Sequence, residues 1–440
     1  MHSRPTRLAL VAVAALAVAG LGAPALTSPA VAGPGRSSTA EPSGKPDRPA
    51  QVRFATFNAS LNRSLDGQLV KDLSTPGNAQ ASGAAETIQR ADADVILVNE
   101  FDYAPDGEAA ELFRDNYLAV GQHGAAPADY PYYYVAPSNT GVPSGFDLDN
   151  NGAVGTPGTQ AGGDDSLGFG LFPGQYGLVV YSKYPIAVDD VRTFQHFLWK
   201  DMPGAVLPDD PTTAAPADWY SPAELDVFRL SSKSHWDVPI ELPGRKPVHF
   251  LVSHPTPPSF DGTEDRNGRR NHDEIRFWAD YVSGGRTAAY IYDDEGTTGG
   301  LGRGQDFVIA GDQNADPQDG DSYDGAIRQL LDHPRIQDPR PTSAGAVEQA
   351  RLQGEANLAH SGPAERDTAD FDDALSRRGP GNLRVDYVLP SERLPIRGTG
   401  VFWPTSADPL FSRLIGVFPF PVTDHRLVWL DVSTARAHGH

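Results

Sequence analysis

The sequence predicts a layered α/β protein, and three observations carry that expectation. Apolar runs of strand length, rich in β-branched and aromatic residues, recur along the chain, as in VRFATFN, VILV, GLVVYS, HFLVS, FVIA, RVDYVL and RLVWLDV. Helical segments lie between them. Ala81 to Ala91 leads directly into the run at Val95 to Val98, and Arg270 to Val282 places Ile275, Trp278, Ala279 and Val282 at helical spacing. Finally, six of the runs end in or carry a polar residue: Asn58, Glu100, His254, Asp312 with Asn314, Asp386, and Asp424 with His425. In layered α/β folds a buried strand fixes the backbone, and the polar residues at strand ends gather at a common edge.

Taken in order, the chain opens on a basic start (Arg4, Arg7), an apolar run from Leu8 to Gly22 and the small residues Ala30-Val31-Ala32. This is the pattern of a secretory signal peptide, residues 1–32, removed on export to the cell exterior. Residues 33–50, rich in Pro, Gly and Ser, read as a flexible leader. A single domain is expected over 51–434. Its strands are Val52 to Asn58, Val95 to Val98, Gly177 to Ser182, Val248 to Ser253, Phe307 to Ala310, Arg384 to Leu389 and Arg426 to Val432. Polar insertions interrupt it near 121–175, 192–238 and 340–380. The first of these is so rich in Gly, Asp, Asn and Pro that it is expected to add nothing to a core.

The chain has 440 residues, no cysteine and a formal net charge of −21. Without disulfides, an exported protein depends on core burial and bound cations for its stability. Such acidity disfavours non-specific sliding on DNA, although a local basic groove can coexist with it.

The six strand ends supply two amides, four carboxylates and two imidazoles. That set suits a hard divalent cation and acid–base chemistry on a phosphate ester. Asp312 can accept a proton and Asn314 can donate to a phosphate oxygen. Two residues apart on an extended segment, their side chains are expected to point the same way. Gly311 lets the backbone come close there. Asn58 offers an uncharged oxygen to a cation or its water.

These motifs, in this order, resemble the endonuclease/exonuclease/phosphatase superfamily over roughly residues 50 to 433. The most specific pieces are GDQN followed by ADP, and TDHR before an apolar strand. The resemblance implies a four-layered sandwich, two mostly antiparallel β-sheets packed face to face with helices outside. It implies metal ligation by Glu100 as principal ligand with Asn58 and Asp424. It implies a catalytic Asp312–x–Asn314, His425 as general base or phosphate contact, Asp386 orienting His425, and His254 stabilising the transition state or protonating the leaving oxygen. Two departures stand out: Asn99 replaces the usual Gln before Glu100, and Pro255 and Pro257 follow His254. The implied reaction is in-line attack of water on phosphorus, with Mg²⁺ as cofactor and Mn²⁺ or Ca²⁺ able to substitute.

Asp147, Asp149, Asn151 and Gly152 match the first half of a calcium-loop pattern, but Gly158 stands where the closing Glu belongs. A structural Ca²⁺ would need a further ligand such as Asp164 or Asp165. Arg269 and Arg270 follow His254 and are candidate phosphate contacts. The substrate is expected to be a phosphate mono- or diester: a small ester, a nucleic acid or a phospholipid headgroup. Tyr132, Tyr133, Tyr134, Phe169 and Phe172 are either membrane-docking or core aromatics. A monomer without an obligate protein partner is expected. The reading from another class, a non-catalytic calcium-binding interaction protein, would be favoured by loss of Glu100 or His425, and both are present.

Overall fold

The computed structural model describes residues 31–32, 51–214 and 216–434. The signal peptide and leader otherwise lie outside the described residues. In chain order the strands are β1 (Val31–Ala32), β2 (Gln51–Asn58), β3 (Val95–Asn99), β4 (Tyr132–Val135), β5 (Leu178–Ser182), β6 (Arg192–Thr193) and β7 (His235–Ile240). They continue with β8 (Val248–Ser253), β9 (Asp306–Asp312), β10 (Ala369–Asp370), β11 (Asn382–Leu383), β12 (Asp386–Pro390), β13 (Ile396–Val401) and β14 (Val428–Ser433).

One sheet has the order β1-β4-β5-β3-β2-β14-β13, the other β12-β9-β8-β7-β6. Each is antiparallel apart from one parallel pair, β2 with β3 and β8 with β9. The two halves therefore repeat one pairing pattern. In each, a parallel pair is flanked by antiparallel neighbours, β5-β3-β2-β14 matching β7-β8-β9-β12. Strand alternation explains how the sheets pack. Val52, Phe54, Val95, Leu97, Val180 and Leu430 of the first sheet meet Trp236, Val238, Phe250, Val252, Val308 and Val388 of the second. Phe54 and Phe250 touch across the interface with ring centroids 5.5 Å apart.

The alternate residues face outward under helices. Ala55, Phe57, Ile96 and Val98 pack beneath the helix Ala79–Ala91, whose small residues Ala81, Ala84 and Ala85 allow close approach. Leu251, Phe307 and Ile309 pack beneath the helix Arg266–Ser283 through Ile275, Trp278 and Val282. The expected four layers, helices–sheet–sheet–helices, are present. No helix of the described residues is long and apolar enough to cross a membrane.

The insertions behave differently from the expectation. The segment 121–175 supplies β4 and buries Tyr130, Tyr133, Tyr134, Leu148, Leu167 and Phe172. Scattered aromatics gain burial here without any local period to announce them. Tyr133 and Tyr134 are core residues, whereas Phe169 is exposed. The segment 192–238 adds β6, the start of β7 and the buried Phe194, Phe197, Trp199 and Phe228. The segment 340–380 forms the helix Ala344–Gln353 and strand β10, and β10 pairs with β11.

Candidate active site

The inner-face stripe of the sandwich ends in polar residues at one edge. On β2, Val52, Phe54 and Thr56 share a face, and Asn58 is the next position of the same parity. The same rule carries Val252 to His254, Ala310 to Asp312, and Val388 back to Asp386. Register brings them together. Asn58 pairs with Asn99, one residue before Glu100, and Asp386 pairs with Asp312. Gly311 (φ 154°) has a packing reason, because a Cβ there would lie 2.0 Å from the Ser253 carbonyl oxygen. The site is the polar cap of the hydrophobic interior.

Asp312 is its hub. It is 1% exposed, and its Oδ2 faces Asn58 Nδ2 at 3.1 Å, His254 Nε2 at 3.3 Å and His425 Nε2 at 3.6 Å. Burial alone would raise this carboxyl. The His425 and His254 imidazoles and the Asn58 amide outweigh burial and hold it well below the usual carboxylate range. Asp312 Oδ1 accepts from the Asn314 backbone N–H at 2.9 Å, and Asn314 takes φ 52°. The strand thus ends at Asp312. Asn314 is brought beside it by a tight turn closed on the Asp312 side chain, not by strand alternation as expected. Asn314 Nδ2 donates to the Pro255 carbonyl at 3.1 Å.

His425 stands between two carboxylates. Its Nδ1 is 3.0 Å from Asp386 Oδ2, and its Nε2 faces Asp312. Burial disfavours the imidazolium, but Asp386 and Asp312 reverse that and raise His425 well above an ordinary histidine. The expected pairing of Asp386 with His425 is present. Asp386 is itself oriented by Thr368, a residue the sequence did not single out. The Thr368 hydroxyl donates to Asp386 Oδ2 at 2.9 Å and accepts from the backbone N–H groups of Asp386 at 2.9 Å and Val385 at 3.0 Å. His254 is the opposite case. Burial first, and Lys233 second, lower it despite Asp312, so the ring is neutral at neutral pH.

Glu100 accepts from Asn58 Nδ2 at 3.0 Å and from Asn62 Nδ2 at 2.8 Å. Among the described residues it has no ion-pair partner. A carboxylate without an ion pair, tied through Asn58 to the Asp312 anion, fits a hard divalent cation. Asn58 turns its amide nitrogen toward Glu100 and Asp312, while its Oδ1 accepts from Ser60 N at 3.2 Å. In this arrangement Asn58 ties the two acids together and does not offer them an oxygen. Asp424 makes no hydrogen bond to Asn58. Its Oδ1 accepts from Thr423 Oγ1 at 3.4 Å, and Thr423 Oγ1 bonds Ser60 Oγ at 3.0 Å. The structure thus joins Glu100 and Asn58 directly and reaches Asp424 through Thr423 and Ser60.

The helix Arg266–Ser283 clamps the loops of the site. Asn271 Nδ2 donates to the carbonyls of Thr256 at 2.8 Å and Gln313 at 2.9 Å. One turn on, Glu274 accepts from the N–H groups of Ser232 at 2.7 Å and Thr256 at 2.6 Å. Arg270 lies on the same face, and the expectation of a phosphate contact there is corrected. It is 5% exposed, and its guanidinium donates to the carbonyls of Leu230, Leu167 and Arg229. It holds three chain segments together and has no access to a ligand. Arg269 lies with its guanidinium 4.7 Å from the Tyr323 ring centroid.

The carboxylates of Asp147, Asp149 and Asp165 lie with ligand atoms within 4.8 Å of one another. Asp165, not Asp164, completes the group. Its oxygens accept from Leu148 N and Gly155 N, and Asp147 accepts from Asn151 N and Gly152 N. Asn151 directs its Nδ2 to Asp149 at 2.9 Å.

A polar cap of this composition, on a four-layered sandwich, defines a phosphoesterase of the metal-dependent class. The model of the endonuclease/exonuclease/phosphatase family matches residues 55–425, and the chain belongs to that family. It is accordingly a metal-dependent hydrolase of phosphate ester bonds. Among solved structures, a family protein from Beutenbergia cavernae aligns at 16% identity and TM-score 0.45, covering 88% of this chain and 72% of its own. TDP2 from Caenorhabditis elegans aligns at 13% identity and TM-score 0.39, covering 87% and 98%. A mannosyl-6-phosphatase from Bacteroides thetaiotaomicron aligns at 10% identity and TM-score 0.40, covering 87% and 99%. No curated protein matches the chain.

Proposed function

We propose that this protein is an exported, monomeric phosphoesterase that hydrolyses small phosphate mono- or diesters by in-line attack of an activated water. The observation that carries the reading is the Asp312 carboxylate, held as an anion among Asn58, His254 and His425. As the anion of the pair, Asp312 orients the attacking water and accepts its proton. His425, charged and backed by Asp386, donates to a phosphate oxygen as negative charge builds there. Asn314 donates to the same group, neutral His254 keeps its proton and offers a hydrogen bond to the charge that builds in the transition state, and the leaving oxygen takes its proton from solvent. Mg²⁺ is the expected cation. Held by Glu100 with Asp424, and with Asn58 fixing the Glu100 carboxylate, it would neutralise charge on the phosphate and the leaving oxygen.

Export is supported by the basic start, apolar run and small-residue site at the N-terminus. A small substrate is favoured over a long polyanion by the net charge of −21 and by the burial of Arg270. Asp147, Asp149 and Asp165 are where a structural Ca²⁺ would sit.

The test is a panel of p-nitrophenyl phosphate, bis-p-nitrophenyl phosphate, sphingomyelin, RNA and plasmid DNA with Mg²⁺, Mn²⁺, Ca²⁺ or EDTA. Metal-dependent turnover of the small esters, lost in Asp312→Ala, is the expected result. Preferential turnover of DNA, RNA or sphingomyelin would replace the substrate class. Turnover that survives in Asp312→Ala would remove the assignment of this site.

A further inference from the structure

We propose that Lys233 is a further catalytic residue, whose ammonium donates to a non-bridging oxygen of the bound ester phosphate alongside Asn314. This rests on the phosphoesterase reading of the site. Lys233 is 6% exposed and lies in the loop before β7. An ammonium carries three donors, yet among the described residues its one hydrogen bond is a long 3.5 Å contact to the Pro255 carbonyl. It forms no ion pair among the described residues. Burying a charge so poorly hydrogen-bonded is costly, and in the resting site only the fields of Glu274, Glu100 and Asp312 offset that cost.

The charge is not needed by Glu274, the acid that acts on it most strongly. Both Glu274 oxygens already accept backbone N–H groups, from Ser232 and Thr256. The other acids that act on Lys233 are Glu100 and Asp312, both in the candidate active site. The Pro255 carbonyl that takes Lys233 Nζ also takes Asn314 Nδ2 at 3.1 Å. Two donors therefore meet at one carbonyl oxygen, next in sequence to His254. The loop carrying Lys233 is fixed from both sides, by Ser232 N–H on Glu274 and by the Lys233 carbonyl accepting from Asn139 N at 2.9 Å. An underused, preorganised ammonium beside an amide donor is what a phosphate oxygen requires. No proton leaves Lys233 in this role. The attacking water forms the new P–O bond, the ester P–O bond breaks, and the lysine stays charged throughout.

The alternative is that Lys233 only balances the charge of Glu100 and Asp312. The two readings separate on phosphate binding. Lys233→Met and Lys233→Gln in the mature chain are compared with the natural protein by thermal melting, Mn²⁺ titration, calorimetric binding of inorganic phosphate to the Mn²⁺-loaded protein, and kcat/KM on bis-p-nitrophenyl phosphate. The expected result is phosphate binding weaker by about 10-fold and kcat/KM lower by about 100-fold, with Mn²⁺ affinity unchanged or tighter and no fall in melting temperature. Unchanged phosphate binding in a folded variant, whatever happens to turnover, overturns the proposal in favour of charge balance. Turnover of no ester by the natural protein would defeat the phosphoesterase reading itself, and the phosphate-binding comparison would still decide the place of Lys233.

Discussion

Thr368→Val replaces a hydroxyl by a methyl of nearly the same size at a fully buried position. Three hydrogen bonds go at once: the donation to Asp386 Oδ2, and the acceptance from Val385 N–H and Asp386 N–H. The two orphaned N–H groups are buried, and each unsatisfied group costs about 1–3 kcal/mol. The substitution should therefore destabilise the protein by about 3 kcal/mol, read as a lower denaturant midpoint at unchanged slope. The functional effect follows from geometry. Asp386 Oδ2 loses its second tether and keeps only His425 Nδ1. A misplacement of about 1 Å in a catalytic group can cost about 100-fold, so kcat on bis-p-nitrophenyl phosphate should fall by about 10- to 100-fold, with little change in KM. Thr368→Ser keeps the hydroxyl and should retain most of both quantities. If Thr368→Val matches the natural protein in turnover and stability, the orienting role of Thr368 is refuted. If Thr368→Ser is as damaged as Thr368→Val, packing of the methyl explains the effect and the hydroxyl does not.

Other consequences are as direct. Asp367 is pushed up to about 8, by burial first and then by Asp316, Asp319 and Glu365. A carboxyl raised on folding contributes stability that is complete below its ordinary value and lost as pH rises through about 8. Asp367→Asn should therefore leave stability at acidic pH unchanged and raise it above pH 8 by about 1–2 kcal/mol. Equal melting shifts at both pH values would contradict the raised carboxyl. Arg270→Met should destabilise by about 2–4 kcal/mol, because the buried carbonyls of Leu167 and Leu230 and the part-buried one of Arg229 lose their donor. It should leave phosphate inhibition unaltered, and a large rise in the phosphate inhibition constant would return Arg270 to the site. Ca²⁺ should raise the melting temperature of the natural protein relative to EDTA, but not that of Asp149→Ala. A shift that persists in the variant would place the ion elsewhere.

The strands that build the site were legible because their signal is local. A β-branched run followed by Asn, Glu, His or Asp states both the strand and the residue at its end, and parity then fixes the shared face. Asn58, His254, Asp312 and Asp386 follow from that rule. So does the Asp386–His425 pair, once the two strand ends are known to meet. Residues whose role depends on what packs over them were misread or missed. Arg270 has the same local sequence whether it faces solvent or three carbonyls, and only the neighbouring loops at 167 and 229–230 decide between them. Thr368 and Lys233 lie in segments with no period, the period around Asn271 marks only the apolar positions of its helix, and each of the three acts on a partner at least 15 residues away. In 121–175 Gly, Asp and Pro dominate and hide any core pattern, so the sequence leaves Tyr133 open between a membrane-docking and a core role; Tyr130 and Tyr133 bury their rings against Tyr181 on β5. Chain chemistry by itself determined which residues end the strands and that their set suits a divalent cation and a phosphate ester. Tertiary structure decided which of the remaining polar groups are satisfied in the interior and which still have donors to give. That distinction is a property of distance and burial, and no local pattern encodes it.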